Sequence, residues 1–216
     1  MNTFSIGDSI KFGWNTFTKR PWFFIGVIVC LFIVYGILST VTDPEKSNIG
    51  GMQFLVSIAA GVIGIFVDMM LVNIALRSHD AAETVKFSDG WNKLPFWSYL
   101  GVKILNGTIV IVGLILLIVP GIIALLILMF SNYLVIDKGL GPIEAMKESA
   151  RITKGHRLQL LLFILAIAGL NIVGALALFV GLLVTIPITI LAMAHVYRTL
   201  EHRSSEVVPV TSNVAA

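Results

Sequence analysis

Charge is what this sequence most lacks. Of its 216 residues, 12% are Asp, Glu, Lys or Arg, while 57% are hydrophobic. A soluble globular domain carries about 25% charged residues. A chain of this size folded in water needs a polar surface, and these charges are too few to make one. What remains is a surface that faces lipid. Cysteine is nearly absent as well. Cys30 stands alone, so no intrachain disulfide can form, and there is no Cys/His cluster with metal-ligand spacing. Cys30 lies inside an apolar run and is expected to pack there or face lipid. No catalytic, metal-binding or nucleotide-binding motif stands out, so no catalytic residue, metal or other cofactor is expected. The net charge of +3 does not point to nucleic acid. The basic residues sit in short loops between apolar runs, where a bilayer accounts for them.

Those apolar runs are long. A helix needs about 20 apolar residues to cross ~30 Å of hydrocarbon. The stretches 22–39 and 54–76 each suffice for one span. The first follows Lys11, Lys19 and Arg20, as in a signal peptide. It is long, however, lacks a good small-residue cleavage site and precedes further spans, so it reads as a retained helix. Residues 99–136 are too long for one span and contain Pro120-Gly121, which predicts a hairpin between spans 99–118 and 121–136. Residues 158–197 would reach about 60 Å as a single helix. The weak break near Gly181 divides them into spans 158–178 and 181–197. The expected fold is thus an all-α membrane bundle of six helices in one domain, residues 1–203, followed by a polar, disordered tail, 204–216.

The positive-inside rule tests this count independently. With six spans, fourteen of the fifteen basic residues fall on one side, and the exception is Lys46. This predicts both termini in the cytoplasm. Trp14, Trp22, Trp91 and Trp97 fall near the same face, where indole rings favour the headgroup level.

Three segments on that face look amphipathic, and each precedes a pair of spans. In the first, Ser5 is a candidate N-cap, and Ile6, Ile10, Trp14 and Phe17 share one face. In the second, Phe87, Trp91 and Leu94 do so, and Gly90-Trp91-Asn92 echoes Gly13-Trp14-Asn15. In the third, Pro142 opens a helix and Gly155 ends it. There Ile143, Met146 and Ala150 share a face opposite Lys147, Arg151 and Lys154. The chain reads either as three helix-plus-hairpin repeats or as local physics that mimics them.

The stretch 119–157 contains Pro120-Gly121, Asn132-Tyr133-Leu134-Val135-Ile136-Asp137, Gly141, Ala145-Met146-Lys147-Glu148-Ser149 and Thr153-Lys154-Gly155-His156. These motifs resemble the membrane domain attached to some bacterial glycerophosphodiester phosphodiesterases, and related stand-alone families of the bacterial inner membrane. The stretch from Asp8 to Trp22 also fits. The resemblance implies a multi-span module of the cytoplasmic membrane. The family's enzymatic activity belongs to a separate barrel, and no segment outside the spans is long enough to be one. The resemblance therefore implies no enzyme and carries no functional residues with it.

Among single residues Asp68 is the most informative. It lies nine residues before Arg77, about 13 Å along the helix, near the bilayer midplane. A charge there costs at least ~2.5 kcal/mol on insertion scales. Ser57, Gly61, Gly64 and Ala75 share its face, which is expected to pack inside the bundle. Asp68 reads as a structural lock, protonated or paired with Lys103, or as a proton or cation site with Asn106 or Asn171. Asn171 is expected to hydrogen-bond across a helix interface. His79 and His156 read as loop residues without partners, and His195 as an incidental titratable group. Lys147, Arg151, Lys154 and Arg157 could hold anionic lipid headgroups or serve topology alone. Two functions follow from this reading. One is a scaffold or lipid-interacting protein of the cell envelope, with membrane lipids and either a protein partner or a second copy as its company. The other is a small carrier or channel built on Asp68.

Overall fold

The computed structural model describes residues 4–41, 50–91, 94–177 and 180–206. All regular structure among them is helical. Among the described residues, six helical stretches, one of them interrupted, are long and apolar enough to cross a membrane, the pattern of a multi-pass membrane protein. Between spans there is little hydrophobic drive in lipid, so close packing and hydrogen bonds hold such a bundle together.

Helix α1, Ile6–Lys19, starts as expected: the Asp8 N–H donates to the Ser5 hydroxyl at 3.2 Å. Its buried face shares only Phe17 with the apolar face read from the sequence. Ser9, Gly13, Thr16 and Phe17 are buried, while Trp14 is half exposed. The reason is a neighbour that sequence could not show. α1 lies against the last helix, α9 (Leu182–Glu206), with Gly13 seated on the Ile188 carbonyl and Ala192. Any Cβ at Gly13 would meet that backbone, so α9 approaches there, Phe17 packs beside it on Ile188 and Leu191, and Trp14 turns outward.

Helix α2 (Pro21–Val41) and helix α3 (Gly50–Ala81) form the first pair of spans. The segment after α3 is not the amphipathic helix expected from Phe87, Trp91 and Leu94. It makes one turn of 3-10 helix, Phe87–Trp91, that folds back on α3 with Gly90 against Met70 and Ile74. Asn92, half of the expected echo of Asn15, lies outside the described residues. The three segments therefore differ in structure.

The predicted hairpin at Pro120-Gly121 exists but turns earlier. Helix α4, Phe96–Leu116, begins three residues before its expected start, and helix α5 runs Ile118–Leu128. Leu117 alone is extended, at φ −164° and ψ 148°. Pro120 thus sits within the first turn of α5, where its missing N–H costs nothing. Gly113 and Gly121 face each other, and a Cβ on either would collide with the other strand of the hairpin.

The fourth span is broken, which the hydropathy did not reveal. After α5 the chain turns at Met129-Phe130 and resumes as helix α6, Ser131–Lys138. A break within a span frees backbone groups that lipid cannot satisfy. The Ser149 hydroxyl supplies the repair: it donates to the Ile127 carbonyl at 2.6 Å and accepts the Phe130 N–H at 3.3 Å. Asn106 Nδ2 donates to the Leu128 carbonyl at 3.4 Å. Ser149 belongs to helix α7, Pro142–Ile152, which opens on Pro142 and is followed by Gly155 in the left-handed region at φ +84°. That start and stop match expectation; the buried face does not. Ala145, Ser149 and Ile152 are buried and Ile143 is exposed, because α7 packs small residues on the broken span. Ser149→Ala is expected to lower stability by about 1–2 kcal/mol, since it strands two buried backbone groups. Denaturant titration in detergent would measure it, with Ser204→Ala near neutral as the comparison.

Helix α8, Arg157–Leu176, and α9 close the bundle. The fifth and sixth spans separate where Gly181 predicted, and Gly174 and Gly181 meet backbone to backbone. α9 runs through Pro187 to Glu206, so residues 204–206, expected in the tail, are helical. The rest of that tail lies outside the described residues.

Candidate functional site

Two polar sites occupy this apolar bundle. The larger sits where the basic ends of α3, α6 and α9 converge. Arg198 on α9 donates to Asp137 on α6 at 2.8 Å and to Asp80 on α3 at 2.8 Å. The Tyr197 hydroxyl donates to the same Asp137 oxygen at 2.8 Å. Asp80 also meets His79 Nδ1 at 3.2 Å, and His79 Nε2 lies 3.1 Å from His195 Nδ1. Phe12 of α1 stacks on His195 at 4.3 Å between ring centroids. Three elements are thereby clasped by one chain of polar contacts, and α1 joins them through the Phe12 ring. His79 has partners after all, and His195 belongs to a packed cluster. Sequence separations above one hundred residues concealed both.

Beside this chain lies a cavity of about 430 Å³, lined by Asn73, Arg77, Asp80, Asp89, Asp137 and Arg198 among others. Asn73, buried in α3, donates to the Asp89 carbonyl at 3.1 Å and so holds the returning 3-10 turn. Asp89 Oδ2 accepts the Lys86 N–H at 2.9 Å. Arg20, at the start of α2, caps the same region by donating to the Val85 carbonyl at 2.6 Å. Most charges lining the cavity are thus spent on one another.

The basic face predicted for α7 divides. Arg151 is exposed but paired. It donates to both Glu148 oxygens, at 2.7 and 2.6 Å, and to the Ser204 carbonyl at 3.0 Å. The Arg151 hydrogen bond holds the Glu148 carboxyl below the ordinary carboxylate range, against the upward pull of partial burial. Lys138 pairs with Glu201 at 2.7 Å. Arg151 thus already holds a carboxylate, whereas no carboxylate partner is found for the other three cations among the described residues. Lys147, Lys154 and Arg157 stay exposed. With the neighbouring acids Glu148 and Glu201 engaged, the outer edge keeps these three cations. Trp14 of α1, Trp22 at the start of α2, Trp91 of the 3-10 turn and Trp97 at the start of α4 are 51%, 84%, 49% and 80% exposed.

The second site is Asp68. Its carboxylate is bonded directly to the Lys103 ammonium. The lock partner expected from the sequence is the one found. The expected burial is not: the two side chains are 34% and 37% exposed. The glycine face that was to pack inside the bundle is open, with nothing near a Cβ placed at Gly61 and only the Tyr35 hydroxyl, at 4.0 Å, near one at Gly64. Helical spacing identified the face but could not say which way it points. Neither asparagine joins the pair. Asn106 bonds the broken span, and Asn171 donates to the Ile167 carbonyl of its own helix at 3.0 Å rather than across an interface. Ser149, which holds the break together, lies in a helix read from the sequence only for its apolar and basic faces, and a small polar residue there gave no signal of its own.

One uncharacterized protein of Mycobacterium bovis and two of Mycobacterium tuberculosis are each 25% identical to this chain over 224 aligned residues. The match covers 91% of this chain and 69% of theirs. No solved structure matches. A family model described as a domain of unknown function, DUF7847, matches residues 94–216.

Proposed function

The chain belongs to the DUF7847 family, and we propose that it is a non-enzymatic bundle of the bacterial cytoplasmic membrane that holds anionic lipid at its inner face and offers that face as a scaffold. One observation carries this reading. After internal pairing, the outer edge of α7 and the start of α8 present Lys147, Lys154 and Arg157 to solvent, and four tryptophans near the predicted inner ends of the spans are exposed as well. Indoles and basic groups are the pairing that suits a headgroup layer. The unequal distribution of the basic residues supports termini in the cytoplasm. The resemblance to the phosphodiesterase-associated membrane domain fits a module that works without chemistry of its own.

A carrier built on Asp68 is the weaker reading. The carboxylate is already neutralised by Lys103, and neither Asn106 nor Asn171 turns toward it.

Each basic residue near an anionic surface contributes roughly 1 kcal/mol. Replacing Lys147, Lys154 and Arg157 together by glutamine is expected to weaken phosphatidylglycerol retention roughly hundredfold. Lipid titration into the detergent-solubilised protein, read by native mass spectrometry, would measure this. Unchanged retention would leave those charges a role in topology alone.

A further inference from the structure

Asp68 and Lys103 form an ion pair whose two side chains are about one-third exposed on the flank of the spans. A charge pair that faces lipid is costly, and such groups normally face protein or water-filled space. The surface around the pair is shaped for close approach. On α3, Ser57, Gly61, Gly64 and Asp68 recur at spacings of four, three and four. On α4, Gly107 lies four residues beyond Lys103, and nothing lies within 4 Å of a Cβ placed there. Glycines that admit another backbone to van der Waals distance mark helix interfaces in membranes.

From this we infer that a second copy of the chain covers this face, related by a two-fold axis along the bilayer normal, so that Asp68 of each copy meets the partner's Lys103. Geometry selects this occupant. Asp68 and Lys103 are bonded to each other, so they lie at one depth. Both copies insert with the same orientation, because the same charges orient each. A two-fold axis along the normal keeps depth and exchanges left with right. It therefore sets the acidic helix of one copy against the basic helix of the other, and the surface is self-complementary, as an isologous interface requires. The glycines follow suit. Gly64 and Gly107 each lie four residues from their charge, on its outer side, about 6 Å along the helix. They would meet across the interface at matching depth. Four charges then form one closed ring, and each ion has two opposite neighbours in place of one neighbour and lipid. The inference requires the spans and not the lipid-binding role, so either can fail without the other.

Charge exchange gives the test, with full-length chains carrying two different tags and Cys30→Ser. Asp68→Lys and Lys103→Asp each put like charges together within and between copies, and alone each is expected to run as a monomer in lipid nanodiscs. Expressed together they are expected to co-purify at least about tenfold above either variant alone, because like-charge contacts cost several times RT. Their internal pairs stay broken, so an interaction confined within one chain predicts no such rescue. The second arm alters no charge: Gly64→Cys and Gly107→Cys chains, mixed in one membrane and oxidised, should yield a disulfide-linked dimer that neither chain forms alone. That dimer supports the interface even where a charge-reversed chain fails to fold. Its absence overturns the inference. So does failure of well-folded charge-reversed chains to pair.

Discussion

Asp137→Leu is expected to destabilise the protein by about 3 kcal/mol. Asp137 accepts from Arg198 and Tyr197 on one oxygen, and its side chain is only 16% exposed, with Arg198 at 18%. Removing one member of a buried pair strands the other, which typically costs 3–5 kcal/mol. The low end applies because Asp80 still faces Arg198. Asp80 itself is 54% exposed, so Asp80→Asn should cost no more than ~1 kcal/mol. The contrast is diagnostic: two carboxylates hold one guanidinium at the same 2.8 Å, but Asp137 is the more buried and also accepts the Tyr197 hydroxyl. Urea or SDS titration of both variants in one detergent would measure it. Equal losses would mean that the α3, α6 and α9 ends do not converge as described.

The second large effect concerns the pair in the spans. Lys103→Leu leaves Asp68 as an uncompensated carboxylate, and Asp68→Leu does the same for Lys103. An unpaired charge at that depth costs ~2.5–3.5 kcal/mol on insertion scales. Partial exposure lets a side chain reach toward the headgroups, so the loss should be about 2 kcal/mol. The double variant Asp68→Leu/Lys103→Leu should recover most of it, since replacing both charges by apolar groups removes the mismatch. The same denaturant series reads all three. If the double variant is as unstable as the singles, the pair is not the lock it is taken to be.

Much of this architecture was legible in the sequence, because lipid enforces it. Span lengths follow from bilayer thickness, and basic residues record which ends lie together. The Pro120 hairpin, the stop at Gly155 and the division near Gly181 each rested on local backbone chemistry, and each was found within a few residues. What sequence could not supply was direction and partnership. Helical spacing grouped Ile6, Ile10, Trp14 and Phe17 on one face of α1, yet α9 packs on the side of Gly13 and Phe17, and Trp14 stays half exposed. The break at Met129-Phe130 carries no proline or glycine and so gave no signal. Its repair by Ser149 depends on a contact twenty-two residues away. Of the partners the sequence offered Asp68, the structure brings neither asparagine to it but does bring Lys103. Whether their shared face looks inward or outward depends on how α2, α3 and α4 splay, which no helical spacing encodes.

The orientation of the basic face underlies the lipid-binding role, and one labelling measurement addresses it. In a Cys30→Ser background, a single cysteine is placed at Ser47, between the first two spans, or at Glu83, whose side chain is 78% exposed beyond the end of α3. Intact cells and inverted membrane vesicles are then treated with a membrane-impermeant maleimide. The cysteine at 47 should label in intact cells and the one at 83 only in inverted vesicles. Labelling of both from the same side would contradict the six-span arrangement, and labelling with the sides exchanged would place the basic face outside and remove the basis for its proposed role.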